Sequence, residues 1–281
     1  MFKKQIPSKN IPKKLGSTNM KPYWDVIRDI IKESDIVLEV LDARMPDISR
    51  NDQLEELVRE YNKELVFILN KADLVDKQTL NKRYFKLKKE SNCFIISNKE
   101  KMGTKRLREW LISKAKPTSS SIKRENQEFK IGILGYPNTG KSSVINSISK
   151  ASKVKVSSKA GTTHGQQWIN IWKNIKLIDS PGVIPLRQDD EIRQALIASK
   201  NPEKIHNLEL VAYEIIKLFP QKTSLENFYL IKIPKDIEDN PDEIIKLIGE
   251  KKGFIKKQGL VEINRVCIQI IRDWQTGRLR I

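Results

Sequence analysis

The chain has 281 residues, 38% hydrophobic and 31% charged, which is enough for one large domain or a large and a small one. Its two cysteines, Cys93 and Cys267, lie far apart and form neither a disulfide framework nor a Cys-x-x-Cys zinc pair. No apolar run approaches the roughly 20 residues of a membrane helix. We therefore expect a cytoplasmic protein with no membrane partner.

The net charge of +18 predicts attraction to polyanions, of which nucleic acid is the leading candidate. The alternative is a lysine-rich composition spread evenly over the surface. Residues 1–24 contain six lysines and no acid, and residues 141–160 contain five lysines and no acid. Residues 251–281 hold eight Lys or Arg. This clustering favours a binding footprint, and we interpret residues 1–21 as a basic N-terminal arm.

The first half of the chain alternates helical and strand patterns. "YWDVIRDIIKES" has helical spacing, and "DIVLEVLDARMP" is a buried strand that ends in polar residues. The helix pattern "NDQLEELVREYN" precedes the strand "ELVFILNKAD", and a helix marked by Leu80, Tyr84 and Leu87 precedes "NCFIISNKE". A further helix, "TKRLREWLISKAK", follows. The alternation is typical of an α/β sheet.

Residues 117–128 are polar and aperiodic, so we interpret them as an internal linker. After them come a strand, "FKIGILGYP", a helix, "KSSVINSISK", and a hairpin, "QWINIWKNIKLIDSPG", whose strands alternate with period two. Beyond residue 187 only helical patterns occur. The sequence therefore predicts an α/β domain over residues 22–187 and a small all-helical C-terminal domain over residues 188–281.

The strand-to-helix junction after "FKIGIL" carries the phosphate-binding pattern G-x-x-x-x-G-K-[ST], from Gly135 to Ser142. Glycines let backbone N–H groups surround the phosphates, while Lys141 would reach the β- and γ-phosphates and Ser142 would bind Mg²⁺. The sequence predicts the following nucleotide contacts in this loop: Asn138, Thr139, Gly140, Lys141, Ser142 and Ser143.

A second pattern, D-x-x-G, begins at Asp179 and ends at Gly182. Asp179 would hold Mg²⁺ through water, and the Gly182 N–H would meet the γ-phosphate. Between this pattern and the phosphate loop, Thr163 is the candidate switch threonine whose hydroxyl reaches Mg²⁺. A lone threonine or D-x-x-G is weak evidence, but the spacing after the phosphate loop strengthens both.

The pattern N-K-x-D, formed by Asn70, Lys71 and Asp73, follows an earlier strand. A carboxylate at Asp73 accepts two hydrogen bonds from the N1 and N2 edge of guanine, which adenine lacks. The alternative is an ordinary polar turn at the end of a strand. The next strand ends in Ser97, Asn98 and Lys99, whose backbone N–H is expected near guanine O6.

The order of these patterns is inverted, since the guanine pattern precedes the phosphate loop. If residues 117–128 join the original termini of the domain, the strands keep their usual spatial order and only the cut point has moved. Such permutations are tolerated because domain termini often lie close together. The sequence therefore predicts that Asp73 and the phosphate loop share one pocket.

The order N-K-x-D, S-N-K, G-Y-P-N-x-G-K-S, G-x-T, D-S-P-G resembles the circularly permuted GTPases of the YlqF type. "LDARMP", with Asp42 and Arg44, and "IIRDWQTGRLR" also resemble stretches of that family. The resemblance implies a GTPase that uses Mg²⁺ and assists assembly of the large ribosomal subunit. It also implies a C-terminal helical region that binds ribosomal RNA. By this likeness Asn138 would help to coordinate K⁺, and hydrolysis would be stimulated by K⁺ and by the ribosome.

Two departures leave the catalytic group open. Bacterial members of the resembled family carry an N-terminal histidine that is implicated in hydrolysis, whereas the N-terminal arm here has none. In addition, Val183 follows D-x-x-G where signalling GTPases carry a water-orienting glutamine. His164 is either a substitute base or, as we favour, a solvated side chain. The candidate catalytic residues are then Asn138, Lys141, Thr163 and Gly182. The alternatives are an RNA-binding scaffold that holds GTP with little turnover, and a regulatory GTPase with a protein partner; we expect a monomer when free.

Overall fold

The computed structural model describes residues 21–116, 128–149, 167–172, 174–179, 191–219 and 221–281. These form a six-stranded sheet in the order β3-β2-β1-β4-β6-β5. All neighbouring strands are parallel except β5 and β6. The strands are β1 (Ile36–Asp42), β2 (Glu64–Asn70), β3 (Asn92–Ile95), β4 (Phe129–Leu134), β5 (Gln167–Trp172) and β6 (Ile175–Asp179).

The pairing of β1 with β4 joins the two halves of the chain into one sheet. The two strands run parallel with Ile36 opposite Ile131, although residues 117–127 separate the halves in sequence and lie outside the described residues. Every residue of β1 is buried, as expected for a central parallel strand. The permuted α/β fold predicted from the sequence is confirmed.

Helices cover both faces of the sheet. On one face, α1 (Lys21–Glu33), α3 (Asp52–Glu60) and α4 (Lys77–Lys88) pack over residues such as Val37 and Leu41. On the other, α5 (Thr104–Ala115) and α6 (Lys141–Ser149) pack against Leu38 and Val40. Successive strand residues alternate between the two faces, which explains why Val37 and Leu41 pack on one face and Leu38 and Val40 on the other. A single helical turn, α2 (Pro46–Ser49), follows β1.

The C-terminal region is helical, as predicted. Its helices are α7 (Glu191–Leu196), α8 (Leu208–Lys217), α9 (Thr223–Tyr229), α10 (Pro241–Lys252) and α11 (Ile263–Gln275). The Asn240 side chain caps α10 by accepting from the N–H groups of Asp242 and Glu243, and Gly253 ends this helix at φ +67°. The predicted boundary at residue 187 stays a prediction, because residues 180–190 lie outside the described ranges.

The helical region packs on the α1 and α3 face of the sheet through a continuous apolar cluster. Ile30 and Val58 belong to the same cluster as Ile215, Ile270 and Trp274, all fully buried. In the ranges that the structure covers, no helix combines the length and apolar character needed to cross a membrane. The packing brings α11 to the sheet edge at which the guanine and phosphate patterns lie.

Candidate nucleotide-binding site

The phosphate loop lies between β4 and α6, the context that its sequence pattern requires. Gly135 adopts φ +144° and Gly140 φ +96°, both outside the usual range of L-residues. A Cβ at Gly135 would lie 2.6 Å from the Val40 carbonyl oxygen, and one at Gly140 would lie 2.1 Å from Asn70 Nδ2. Neighbouring strands therefore leave room only for glycine at the two ends of the loop.

Two side chains fix the shape of this loop. Lys141, 7% exposed, donates from Nζ to the carbonyl oxygens of Gly135 and Tyr136, at 2.8 Å each. The Thr139 hydroxyl donates to the Tyr136 carbonyl at 2.9 Å. Ser142 and Ser143 lie exposed in the first turn of α6, where helix N–H groups are available to anions. The ammonium and the helix start thus face the same loop.

Asn70 joins the guanine pattern to the phosphate loop. Its Nδ2 donates to the Thr139 carbonyl at 2.8 Å, and its Oδ1 accepts from Asn98 Nδ2 at 3.1 Å. The side chain is buried, so both bonds are shielded from water. One amide therefore contacts two segments, of which the phosphate loop is 69 residues away along the chain. This is the juxtaposition that the permutation predicts.

The carboxylate of Asp73 is held by the end of the neighbouring strand. Asp73 Oδ1 accepts from the buried Ser97 hydroxyl at 2.7 Å, and Ser97 Oγ accepts from the Glu100 N–H at 3.1 Å. Ser97 and Met102 pair through their backbones, which closes the turn containing Asn98 and exposed Lys99. Among the described residues, the buried Asn98 Oδ1 has no hydrogen-bond partner. The turn after β3 and the loop that carries the N-K-x-D pattern are thus joined by side-chain hydrogen bonds.

Lys71 forms an ion pair with a buried acid. It adopts φ +61°, and its Nζ lies 2.7 Å from Asp42 Oδ2. Arg44 also contacts this carboxylate, through Nη2 at 2.9 Å and Nε at 3.1 Å. Burial favours protonation of Asp42, but the two cations outweigh it and hold its pKa well below the usual range. Asp42 is therefore an anion beside the guanine loop at neutral pH.

Arg44 extends this ion network to the helical region. The fully buried guanidinium donates from Nη1 to the Trp274 carbonyl at 2.6 Å, and its carbon lies 4.0 Å from the centre of the Trp274 ring. The last described residue, Ile281, pairs with Leu74 and Asp76 through backbone hydrogen bonds of 2.9 and 2.6 Å. The two sequence stretches with family resemblance thus contact each other directly.

The phosphate loop contacts the helical region at Asn138. This residue adopts φ +60°, and its Nδ2 donates to the Ala198 carbonyl at 2.7 Å. The Arg193 guanidinium carbon also lies 5.4 Å from the centre of the Tyr136 ring. The catalytic and K⁺-coordinating roles assigned to Asn138 from sequence stay predictions. Both the base end and the phosphate end of the site therefore have a partner on the helical region.

Asp179 ends β6, opposite Ile133 of β4, so its backbone lies beside the strand that leads into the phosphate loop. Thr163 and Gly182, with His164 and Val183, lie outside the described residues, and their roles stay predictions. A hydroxyl from Ser142 and a carboxylate from Asp179 are the hard oxygen donors that Mg²⁺ prefers. This donor set fits a magnesium ion bound jointly by protein and phosphate.

Glu39 is a buried acid that the sequence analysis did not single out. Burial, reinforced by the Glu55 carboxylate, raises the pKa of Glu39 well above its ordinary value. Its Oε1 accepts from the Asn51 N–H at 2.9 Å, and Asn51 Nδ2 donates to Tyr136 Oη at 2.9 Å. Glu39 is thus linked through Asn51 to Tyr136 of the phosphate loop. The signal for it was visible as the single charge inside "IVLEVL".

Several known proteins are similar to this chain. Residues 130–251 match the family model described as 50S ribosome-binding GTPase. An uncharacterized GTP-binding protein of Methanocaldococcus jannaschii is 37% identical over 261 residues, covering 92% of this chain and 66% of that protein. Ribosome biogenesis GTPase A of Bacillus cereus is 28% identical over 266 residues, covering 90% and 86%. Plant and animal relatives match over only 44% to 50% of their own length.

A solved structure shares the fold. The GDP-bound structure of T. maritima YlqF covers 91% of this chain and 96% of its own, with a TM-score of 0.58 and 23% identity. The permuted strand order, the contact of Asn70 with the phosphate loop and the matches above all point to the same kind of protein. The chain therefore belongs to the circularly permuted P-loop GTPases.

Proposed function

We propose that the chain binds GTP, hydrolyses it to GDP and phosphate, and acts as an assembly factor for the large ribosomal subunit. The observation that carries the nucleotide part is the Asn70 amide, which joins the guanine pattern to the phosphate loop. The assembly part is supported by the B. cereus relative, which is named a ribosome biogenesis GTPase, and by the net charge of +18.

In this proposal each loop recognises one part of the nucleotide. Asp73 accepts from the guanine N1 and N2 donors, while the turn of Ser97, Asn98 and Lys99 meets O6. Lys141 exchanges its two carbonyl partners for phosphate oxygens, which is favourable because an ammonium–phosphate bond is charge-assisted on both sides. Mg²⁺, when bound, neutralises phosphate charge. We assign its contacts to Ser142, Thr163 and, through water, Asp179.

Asn138 supplies the potassium part of the proposal. The chain has Val183 where a water-orienting glutamine would stand, so charge neutralisation has to come from elsewhere. We assign Asn138 to K⁺ and Gly182 to the γ-phosphate. We expect the hydrolysis rate to be higher in K⁺ than in Na⁺ at equal ionic strength. Equal rates in the two salts would contradict this role.

The guanine assignment is tested by Asp73→Asn, assayed by calorimetry with GTP and xanthosine triphosphate. An asparagine keeps an oxygen for the Ser97 hydroxyl but offers an N–H₂ group where guanine also has donors. Two charged hydrogen bonds of about 1.5 to 3 kcal/mol each are lost, so GTP affinity should fall at least about a hundredfold. Affinity for the xanthine nucleotide should rise, since xanthine presents an oxygen at position 2.

Asp76→Asn is the matched control. Asp76 is exposed and caps α4 by accepting from the N–H groups of Gln78 and Thr79, which asparagine can also do. This variant should bind GTP as tightly as the unmodified chain. Unchanged GTP preference in Asp73→Asn, or preference for ATP in the unmodified chain, would refute the guanine assignment.

The assembly part is tested with large-subunit precursor particles. Under the proposal the chain binds these particles more tightly with a GTP analogue than with GDP, because the D-S-P-G segment leads into the helical region that contacts RNA. Single-turnover hydrolysis should accelerate when particles are added. Binding without acceleration would favour the alternative of an RNA-binding scaffold with structural GTP. Salt-independent binding would favour a protein partner instead.

A cytoplasmic location and a monomeric free state complete the proposal. Some relatives are named nuclear or nucleolar GTPases, so localisation of a tagged chain in its own cells is the direct check. Sedimentation velocity of the free chain tests the monomer.

A further inference from the structure

A cavity of about 610 Å³ opens between α4 and α5, beside β3 at the edge of the sheet. Aromatic and aliphatic side chains form much of its wall, including Tyr84, Phe85, Phe94 and Met102. The Phe85 side chain is 61% exposed and Met102 is 39% exposed, which is unusual for large apolar groups. This α4–α5 pocket adjoins the guanine pattern, since Ala72 and Asp73 are among the residues that line it.

The pocket is flanked by basic segments of the chain. Residues 77–89, on α4, contain six Lys or Arg and no acid, while residues 99–114, around α5, contain six Lys or Arg and two Glu. Some of these cations are neutralised: Lys86 pairs with Asp47 and Lys114 with Glu64. Within the described part of the chain, Lys77 and Arg106, which line the pocket, form no ion pair.

We propose that the α4–α5 pocket receives an unpaired base of single-stranded RNA, with the phosphate backbone lying over α4 and α5. This inference deepens the proposed association with ribosomal RNA and rests on it, but it assigns part of the contact to the GTPase half of the chain. Sequence analysis had placed RNA binding in the helical region.

Three properties of the pocket select this ligand. The exposed Phe85 ring offers a face on which a base can stack. Lys77 and Arg106 at the pocket offer cations for adjacent phosphates. The volume exceeds that of a single nucleobase and lies within the range of small-molecule sites. A base inside a duplex has both faces covered, so the pocket requires an unpaired nucleotide.

An acidic protein segment is the competing occupant, because it would also satisfy the cations. The aromatic wall discriminates between the two, since a carboxylate gains little from an aromatic face and a nucleobase stacks on it. The pocket lining itself holds two acids, Asp73 and Glu100, beside Lys77 and Arg106. The surplus of cations lies along the flanking parts of α4 and α5, over which the phosphate backbone would lie.

The test compares Phe85→Ala with the unmodified chain, using fluorescence anisotropy of a labelled mixed-sequence RNA strand and of the same strand annealed to its complement. Loss of one stacking contact should weaken single-strand binding about tenfold and leave duplex binding unchanged. Phe85→Trp should restore the affinity, and its added indole emission should be quenched on binding. Val26→Ala is the matched control, since Val26 is an exposed apolar side chain of α1 and lies outside both the pocket and the helical region.

The charge component is tested with the double variant Lys77→Ala, Arg106→Ala. A plot of log affinity against log salt concentration has a negative slope. Removing two phosphate contacts should make this slope shallower by about 1.4 for a single strand. The double variant Arg28→Ala, Arg59→Ala, on exposed positions of α1 and α3 outside the pocket and the helical region, should change the slope by less. All variants are first checked for unchanged GTP affinity, which separates this pocket from the nucleotide site.

The outcomes separate this inference from the proposed function. If the unmodified chain binds RNA but Phe85→Ala has no effect, or weakens single strand and duplex equally, the pocket does not hold a base and the proposed function is untouched. If Phe85→Ala abolishes binding of poly-glutamate and not of RNA, the occupant is an acidic protein. If the unmodified chain binds neither RNA, the proposed association with ribosomal RNA itself fails.

Discussion

Replacing Arg44 by methionine isolates the link between the guanine loop and the helical region. Methionine keeps an unbranched side chain of similar length, so the change removes the guanidinium with little loss of packing. The variant loses the contacts with Asp42 and with the Trp274 carbonyl, while the ion pair between Lys71 and Asp42 remains. The fold should persist but lose much of its stability.

The size of the loss follows from burial. Asp42 and Arg44 are each 1% exposed, and removing one partner of such a pair costs about 3 to 5 kcal/mol. The lower end applies, because Lys71 still compensates Asp42. The Trp274 carbonyl also accepts from the Gly277 N–H at 3.1 Å, so the lost Arg44 bond adds only about 1.5 kcal/mol. We expect a destabilisation of about 4 to 5 kcal/mol.

Urea unfolding at pH 7, followed by circular dichroism with and without GTP, measures this loss. The control is Arg28→Met, which removes an exposed ion pair with Asp25 of similar length, 2.8 Å against 2.9 Å for Arg44 and Asp42. Exposed pairs contribute about 0 to 1 kcal/mol, so the control should unfold almost as the unmodified chain does. A loss below about 1 kcal/mol in Arg44→Met would refute the view that this network holds the helical region to the guanine loop.

Three further predictions concern the supports of the site. Glu39→Gln should remove one pH dependence of the protein's stability. Because burial raises the folded-state pKa of Glu39, its contribution to stability falls as pH rises from the unfolded pKa of about 4.3. Thermal melts at several pH values should show this decline only in the unmodified chain. Gly140→Ala should abolish GTP binding in calorimetry, since its Cβ would displace Asn70. Deleting residues 279–281 removes the backbone pairing of Ile281 with Leu74 and Asp76, and it should accelerate dissociation of a fluorescent GTP analogue in stopped-flow.

The sheet and the nucleotide loops were predictable because their signals are local. A buried strand such as β1 appears as a continuous apolar run, and the phosphate loop needs glycines at fixed spacing within eight residues. The hairpin of β5 and β6 was likewise marked by period-two alternation, with Asn174 at φ +62° in its turn. Each of these features is encoded within one short window of sequence.

The contacts with the helical region were not predictable, because they depend on partners far apart in sequence. Arg44 and Trp274 are 230 positions apart, and no sequence pattern in either segment indicates that the other is its partner. Arginine side chains are usually exposed, whereas Arg44 is buried because α11 packs against the sheet over it.

The bond between Asn138 and Ala198 predicts how nucleotide state reaches the helical region. If Asn138 turns towards a cation at the phosphates, the Ala198 carbonyl loses a hydrogen bond worth about 1 kcal/mol, so helix α7 should open about fivefold more often. Hydrogen exchange of residues 191–204 should therefore be faster with a GTP analogue in K⁺ than with GDP. In Asn138→Ala the bond is absent in both states, and the difference should disappear. A difference that persists in this variant would mean that the signal travels by another route, since a ligand can shift an equilibrium only through contacts that differ between its states.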